Sequence, residues 1–151
     1  MDPESFDRLM LEAIAEEIAA RDFYQQAARK VQDPNVAAIF EQLAKEENDH
    51  RNVLETFRFN PLARVEFARA QDYRVSEQEE EPPLSFEMGP KEALQLAMKK
   101  EQRAAEAYRR LAAACKNSEF GRVYLELAEM ERGHKCRLEE LFVNAAYPEC
   151  W

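Results

Sequence analysis

A chain of 151 residues with a formal net charge of −9 is about one domain, long enough to bury a real core. It is too acidic for a nucleic-acid binder, which needs a basic face to replace phosphate counterions. No apolar run approaches the length of a membrane span and no basic-then-apolar leader opens the chain, so no membrane partner is expected. The cysteines (Cys115, Cys136 and Cys150) are odd in number and form no C-x-x-C pair. That argues against a disulfide framework or a zinc ribbon, makes a reducing cytoplasm the expected setting, and leaves the three thiols structural or incidental.

Three glycines and 34% charged residues, with Ala, Glu, Leu and Arg abundant, predict an all-α protein. Asp2-Pro3 reads as an N-cap followed by proline at the first helical position, and Asp33-Pro34 repeats it. The first helix, about residues 3–31, carries Phe6, Leu9, Met10, Ala13, Ala20, Tyr24, Ala27 and Val31 at three- and four-residue spacing. The second, about 34–58, carries Val36, Phe40, Leu43, Val53, Leu54 and Phe57, and Asn60-Pro61 closes it. Residues 59–89 are too long for a tight turn and turn acidic and proline-bearing from Ser76 to Pro83. They read as a crossover along the bundle, with a short helix around Leu62 to Tyr73. Gly89-Pro90 opens a third helix (about 90–116) with Leu94, Ala97, Met98, Ala104, Tyr108 and Leu111 on its face. Asn117-Ser118 is the next break, and the fourth helix (about 118–146) runs through Phe120, Tyr124, Leu127, Leu138, Leu141 and Phe142 to Pro148.

The turns at Asp33-Pro34 and Asn117-Ser118 permit only antiparallel neighbours. Two helical hairpins joined by one long crossover is the ferritin-like four-helix bundle rather than the simple up-down one. A single domain, 1–151, is expected.

The two hairpins are copies of one another. At a gapless offset of 84 residues, Glu17 pairs with Glu101, Tyr24 with Tyr108, Leu43 with Leu127, Glu47 with Glu131, His50 with His134 and Glu55 with Glu139. Glu47-x-x-His50 and Glu131-x-x-His134 hold the only two histidines of the chain. One Glu-x-x-His in so acidic a sequence is a weak signal and reads as a solvated face. Two at matching places, each preceded thirty residues earlier by a matching Glu, is a strong one. All six side chains also fall on the apolar stripes. Glu17 and the Glu47–His50 pair lie nearly equidistant from the first turn, as do Glu101 and the Glu131–His134 pair from the second. At 1.5 Å rise per residue they meet at one height, in the middle of the bundle. Within each motif the Glu and His stand one turn apart on one face.

Four ionised carboxylates packed together in a core are very unfavourable without cations, and removing one is expected to relieve repulsion in the metal-free fold. Two divalent ions balance them, so the six residues are expected to bind a metal pair. Oxygen-rich ligation with one imidazole per metal suits iron or manganese and does not resemble a thiolate zinc site. Zinc can still occupy such a site in a preparation, because iron binds weakly in the divalent series. Tyr24 and Tyr108 each lie two turns beyond a paired Glu. They are either plain core tyrosines or neighbours of the site whose phenols bond a carboxylate or pass an electron.

Glu17 and Tyr24, the run Leu43-Ala44-Lys45-Glu46-Glu47-Asn48-Asp49-His50, and the repeat of both resemble the rubrerythrin branch of the ferritin-like di-iron proteins. The resemblance covers the four helices but not the crossover or the tail. It implies two iron ions per chain, with Glu17 and Glu101 as terminal ligands, Glu47 and Glu131 bridging, and His50 and His134 binding one metal each. It also implies a homodimer and an oxidoreductase that reduces peroxide or oxidises Fe(II). The sequence departs from that pattern twice. Full rubrerythrins carry a rubredoxin domain with two C-x-x-C pairs, and none is present here. They also have an extra carboxylate one turn beyond the first Glu of the third helix, where this chain has Ala104-Ala105, with Glu106 elsewhere on the helix.

The leading expectation is therefore a di-iron oxidoreductase acting on Fe(II) with peroxide or dioxygen, fed by an external electron donor protein. The alternatives are an iron-handling protein without turnover and a helical interaction module with a structural metal site.

Overall fold

The computed structural model describes residues 1–66, 72–115 and 118–146. Among these there is no strand, and four long helices dominate: α1 (Pro3–Lys30), α2 (Pro34–Phe59), α3 (Pro90–Ala114) and α4 (Glu119–Ala146). The helix starts are written locally. Asp2 accepts from Ser5 N at 2.7 Å and Asp33 from Asn35 N at 2.8 Å, each followed by proline at the first helical position. Such caps satisfy donors that the helix cannot, at roughly 1 kcal/mol each. Gly89 precedes Pro90 at the start of α3, and Ser118 Oγ accepts from Gly121 N at 3.1 Å at the start of α4. Asn117, Pro148 and Cys150 lie outside the described residues.

α1 packs chiefly on α2 and α3 on α4, making two antiparallel hairpins of one four-helix bundle, the arrangement expected from the sequence. The apolar core is not continuous. One cluster gathers Phe6, Met10, Leu54, Phe57, Phe120, Tyr124 and Leu127 at one end of the bundle. A second gathers Tyr24, Val36, Phe40, Leu43, Leu94, Met98, Leu138 and Phe142 at the other. The first cluster takes the beginning of α1 and α4 but the end of α2 and α3, so α2 and α3 run in the same direction. The crossover between them must return the full length of the bundle.

Its path can be followed through its contacts. Arg122 of α4 donates to the carbonyls of Pro61 and, at 3.1 Å, Ala63. Lys135, also of α4, holds Asp72 at 3.0 Å and Glu77 at 2.7 Å, and Glu139 accepts from Ser76 N. Gln95 of α3 then donates to Glu80 O, and Phe86 O accepts from Gln32 N at the α1–α2 turn. The short helix expected around Leu62 to Tyr73 is not found where it can be checked. Pro61 and Leu62 form a turn, residues 63–66 and 72–75 have no regular structure, and 67–71 lie outside the described residues. The helical turn present is Ser76–Gln78, inside the stretch read as acidic loop. It forms there because α3 and α4 supply partners for it, a non-local cause that local composition does not carry.

One glycine sits where no other residue fits. A Cβ on Gly121 would run into the carbonyl oxygen of Cys115, across the turn between α3 and α4. Gly121→Ala gains about 1 kcal/mol in helix propensity, but a clash with backbone cannot be relieved by a rotamer change and costs about 1–3 kcal/mol. The variant is expected to melt below wild type in a thermal scan, and an equal or higher midpoint would show that the turn yields freely.

Candidate metal centre

Between the two apolar clusters lies a layer of charged side chains. Glu17, Glu47, His50, Glu101, Glu131 and His134 are all buried, Glu131 at 1% and His134 at 0% exposure. α1 brings Glu17, α2 brings Glu47 and His50, α3 brings Glu101, and α4 brings Glu131 and His134. His50 Nδ1 stands 3.4 Å from Glu131, 3.7 Å from Glu17 and 3.7 Å from Glu47. His134 Nδ1 stands 3.3 Å from Glu101, and the two imidazole centroids are 5.0 Å apart, edge to face. Donor atoms of Glu47, His50, Glu101 and His134 lie within 4.8 Å of one another, and so do those of Glu17, His50 and Glu131. The structure thus gathers all six residues singled out by the repeat.

The layer is poorly satisfied by the protein itself. Glu47 Oε1, His50 Nδ1, both carboxylate oxygens of Glu131 and Nδ1 of His134 have no hydrogen-bond partner among the described residues, and His134 Nε2 meets only the Glu46 carboxylate. Buried polar atoms are nearly always paired, and each unpaired one costs about 1–3 kcal/mol. So many in one place, all of them oxygen or imidazole nitrogen, is a donor set that fits hard or borderline divalent cations.

In the metal-free state the layer lowers its own charge with protons. Burial, reinforced by the charge of Glu131, pushes Glu17 up to about 10. Burial and the charges of Glu131 and Glu47 likewise raise Glu101 far above the usual carboxylate range. Burial opposes ionisation of Glu131 as well, but His50 and Glu101 overcome it and hold Glu131 at about 2. Glu47 is held low in the same way by His50 and Glu17. His50 is raised against its burial by Glu131, whereas His134 is driven down to about 3 by burial and by the charge of His50. Environments that split like groups this widely are characteristic of functional sites.

The site meets two cavities. One of about 310 Å³ lies between α1 and α3 and is lined by Glu17, Glu47, Glu101 and Glu131, with Lys100 and Arg103 also on its wall. Small residues (Ala20, Ala104, Ala107) leave this space open. The other, about 250 Å³, lies on the α2–α4 side and is lined by Glu46, Asp49, His50, Met130 and Arg137. Tyr24 stacks on Phe40 at 5.8 Å in the core, while its hydroxyl is buried without a partner among the described residues and the residue lines the first cavity. Tyr108 is buried in the opposite cluster, stacked on Tyr124 at 6.4 Å. Glu106 accepts from Gln102 at 3.0 Å, on the half-buried side of α3.

Two features escaped the sequence reading. Glu46 contacts His134 Nε2 across the bundle; its repeat counterpart is Met130, so a comparison of matched positions passes over it. Lys135 is buried with Asp72, Glu77 and Glu139, whereas its counterpart Arg51 and Glu55 form a partly exposed pair. The crossover covers one and not the other. Asp72, Cys136 and Glu139 also stand within 4.8 Å of one another, but the Lys135 ammonium lies 3.0 Å from Asp72 and 3.6 Å from Glu139. It already answers their charge, so this cluster reads as an internal ion pair. Burial pushes the Cys136 thiol up to about 11, and Cys115 is likewise buried and free.

No helix among the described residues is long and apolar enough to cross a membrane. No curated protein and no solved structure matched the chain. A family model did match, that of rubrerythrin, over residues 9–142, which take in most of α1 and α4, all of α2 and α3, and every residue of the buried layer. The chain belongs to the rubrerythrin family.

Proposed function

We propose that the protein is a di-iron oxidoreductase in which Glu17, Glu47, His50, Glu101, Glu131 and His134 hold two iron ions, and that it oxidises Fe(II) with peroxide or dioxygen. The observation that carries this reading is the buried layer that divides the core, with five of its inward donor atoms unpaired among the described residues. Membership of the rubrerythrin family supports it. When bound, a metal pair supplies redox chemistry and a place for an oxidant to bind.

The chain's own part is positioning. Glu47 and Glu131, both close to His50, would be the carboxylates shared by the two ions, and Glu17 and Glu101 would each serve one. The helices fix all six from rigid elements rather than loops. The α1–α3 cavity, lined by the four carboxylates, is the route for a small oxidant, and Ala104 and Ala107 keep it open. Reduction of peroxide to two waters takes two electrons, which a ferrous pair would supply, and two protons. Glu17 and Glu101, which hold protons in the metal-free state, are the groups on this wall best suited to exchange them.

Anaerobic Fe(II) titration followed by rapid mixing with peroxide, and separately with dioxygen, tests the reading. Two Fe(II) per chain and fast oxidation are expected. Because the 151 residues contain no C-x-x-C pair, peroxide consumption should stop after one turnover per reduced pair unless a donor protein or more Fe(II) is supplied. Tight binding without oxidation would favour an iron carrier. Steady peroxide loss with dioxygen release and no donor would indicate dismutation, and binding of one ion or none would sink the di-metal assignment.

A further inference from the structure

The two halves of the buried layer are related by the repeat, yet their outer surroundings differ. His134 turns Nδ1 inward, 3.3 Å from Glu101, and Nε2 outward against the Glu46 carboxylate of α2. Glu46 is itself held, since its other oxygen accepts from Gln42 Nε2 at 3.4 Å. On the related side, all the close carboxylate approaches of His50 run through Nδ1. The position matching Glu46 is Met130, which lines the α2–α4 cavity together with His50. A thioether is at best a weak acceptor, so it cannot replace a carboxylate here.

We propose that Glu46 is a positioning residue for His134, accepting its Nε2–H, so that only one of the two metal positions has a carboxylate-anchored imidazole. This rests on the di-metal reading above. An imidazole whose Nε2 carries the proton presents the Nδ1 lone pair to the centre of the layer, where Glu101 and Glu47 converge. A carboxylate behind the ring fixes that tautomer, prevents rotation about Cβ–Cγ, and makes Nδ1 a better donor. His50 has the same inward nitrogen without this support. The two positions of a sequence-symmetric site are therefore unequal in affinity, with the one served by His134 filling first.

The test uses Co2+ as the titrating metal and Zn2+ for NMR, on the full chain and on Glu46→Ala and Glu46→Gln. Glu46 is partly exposed, so both variants should fold, which a thermal melt confirms. Wild type is expected to take up two ions in two steps. Glu46→Ala should weaken one step by about 10–100-fold and leave the other in place. Glu46→Gln, whose side-chain carbonyl still accepts, should recover most of the loss. With only two histidines in the chain, 15N-histidine labelling gives two ring patterns. One should show a slowly exchanging, hydrogen-bonded Nε2–H that disappears in Glu46→Ala, persists in Glu46→Gln, and leaves the other ring unchanged. Wild-type binding and an unchanged ring signal in Glu46→Ala overturn this inference alone. Equal weakening of both steps, or a Gln variant as poor as Ala, makes Glu46 a general charge contribution and also overturns it. A wild-type chain that takes up no metal pair overturns the di-metal reading and this inference with it.

Discussion

Glu131→Ala and Glu47→Ala are each expected to reduce metal uptake from two ions per chain to one or none and to bring oxidation of Fe(II) below detection. Glu131 is buried, both its oxygens lack hydrogen-bond partners among the described residues, and it lies within reach of Glu17 and His50. Glu47 stands in the same relation to Glu101, His50 and His134. The remaining side chains of the layer are themselves proposed ligands, so none is left over to replace a lost shared carboxylate. Elemental analysis of metal-loaded variants and rapid mixing with peroxide measure the two losses, and a variant that still holds two ions would remove the bridging role.

The same variants separate metal binding from folding. Sequence alone suggests that deleting any of the clustered acids relieves repulsion in the metal-free protein. The structure divides them. Glu47 and Glu131 are ionised and answer the charge on His50, whereas Glu17 and Glu101 are kept protonated by burial and by their ionised neighbours. Removing one partner from a buried charge pair costs about 3–5 kcal/mol, so metal-free Glu131→Ala should melt below wild type. Glu17→Gln and Glu101→Gln replace a neutral acid by a neutral amide and should melt at or above it. The reverse order in thermal scans would contradict this assignment of charge.

Metal uptake is expected to release about three protons per pair near pH 7, because Glu17, Glu101 and His50 carry protons in the metal-free layer and must lose them to become ligands. Glu47 and Glu131 are already ionised and His134 is already neutral, so they contribute none. Three protons released means about three decades in the pair's binding constant per pH unit, with affinity falling as pH falls. Calorimetry in buffers of different ionisation heat counts the protons directly, and a count near zero would refute the protonation pattern.

The metal-free fold responds to pH through the same groups. The folded chain keeps the Glu17 proton up to about 10, while the unfolded chain loses it near 4.5. Between those values the folded state binds more protons, so stability falls as pH rises. Glu101 and His50, also raised, act in the same direction. Glu131 acts oppositely and is felt only in acid: held at about 2 when folded, it withdraws stability as pH drops below 4.5. The metal-free midpoint should therefore be highest on the weakly acidic side of neutrality and lower at pH 9. Loading the metal pair replaces the protons and should flatten the alkaline decline.

Much of this protein is written locally. Asp2-Pro3 and Asp33-Pro34 mark helix starts because cap and proline act within one turn of chain, and apolar spacing marks the buried faces because helical period is a local property. The duplicated Glu, Glu-x-x-His sets were legible because a repeat makes each half a control for the other, and because equal distance from a turn becomes equal height in a hairpin. What needed the tertiary structure were relations between residues with no fixed spacing. The crossover settles over α3 and α4, which buries Lys135 and creates the helical turn at Ser76–Gln78. Glu46 meets His134 only because α2 and α4 pack side by side, and its unmatched partner Met130 hid it from the repeat. The protonation of the layer was equally out of reach. Glu17 and Glu131 are the same residue type on similar stripes, and only burial together with the position of His50 makes one an acid and the other an anion.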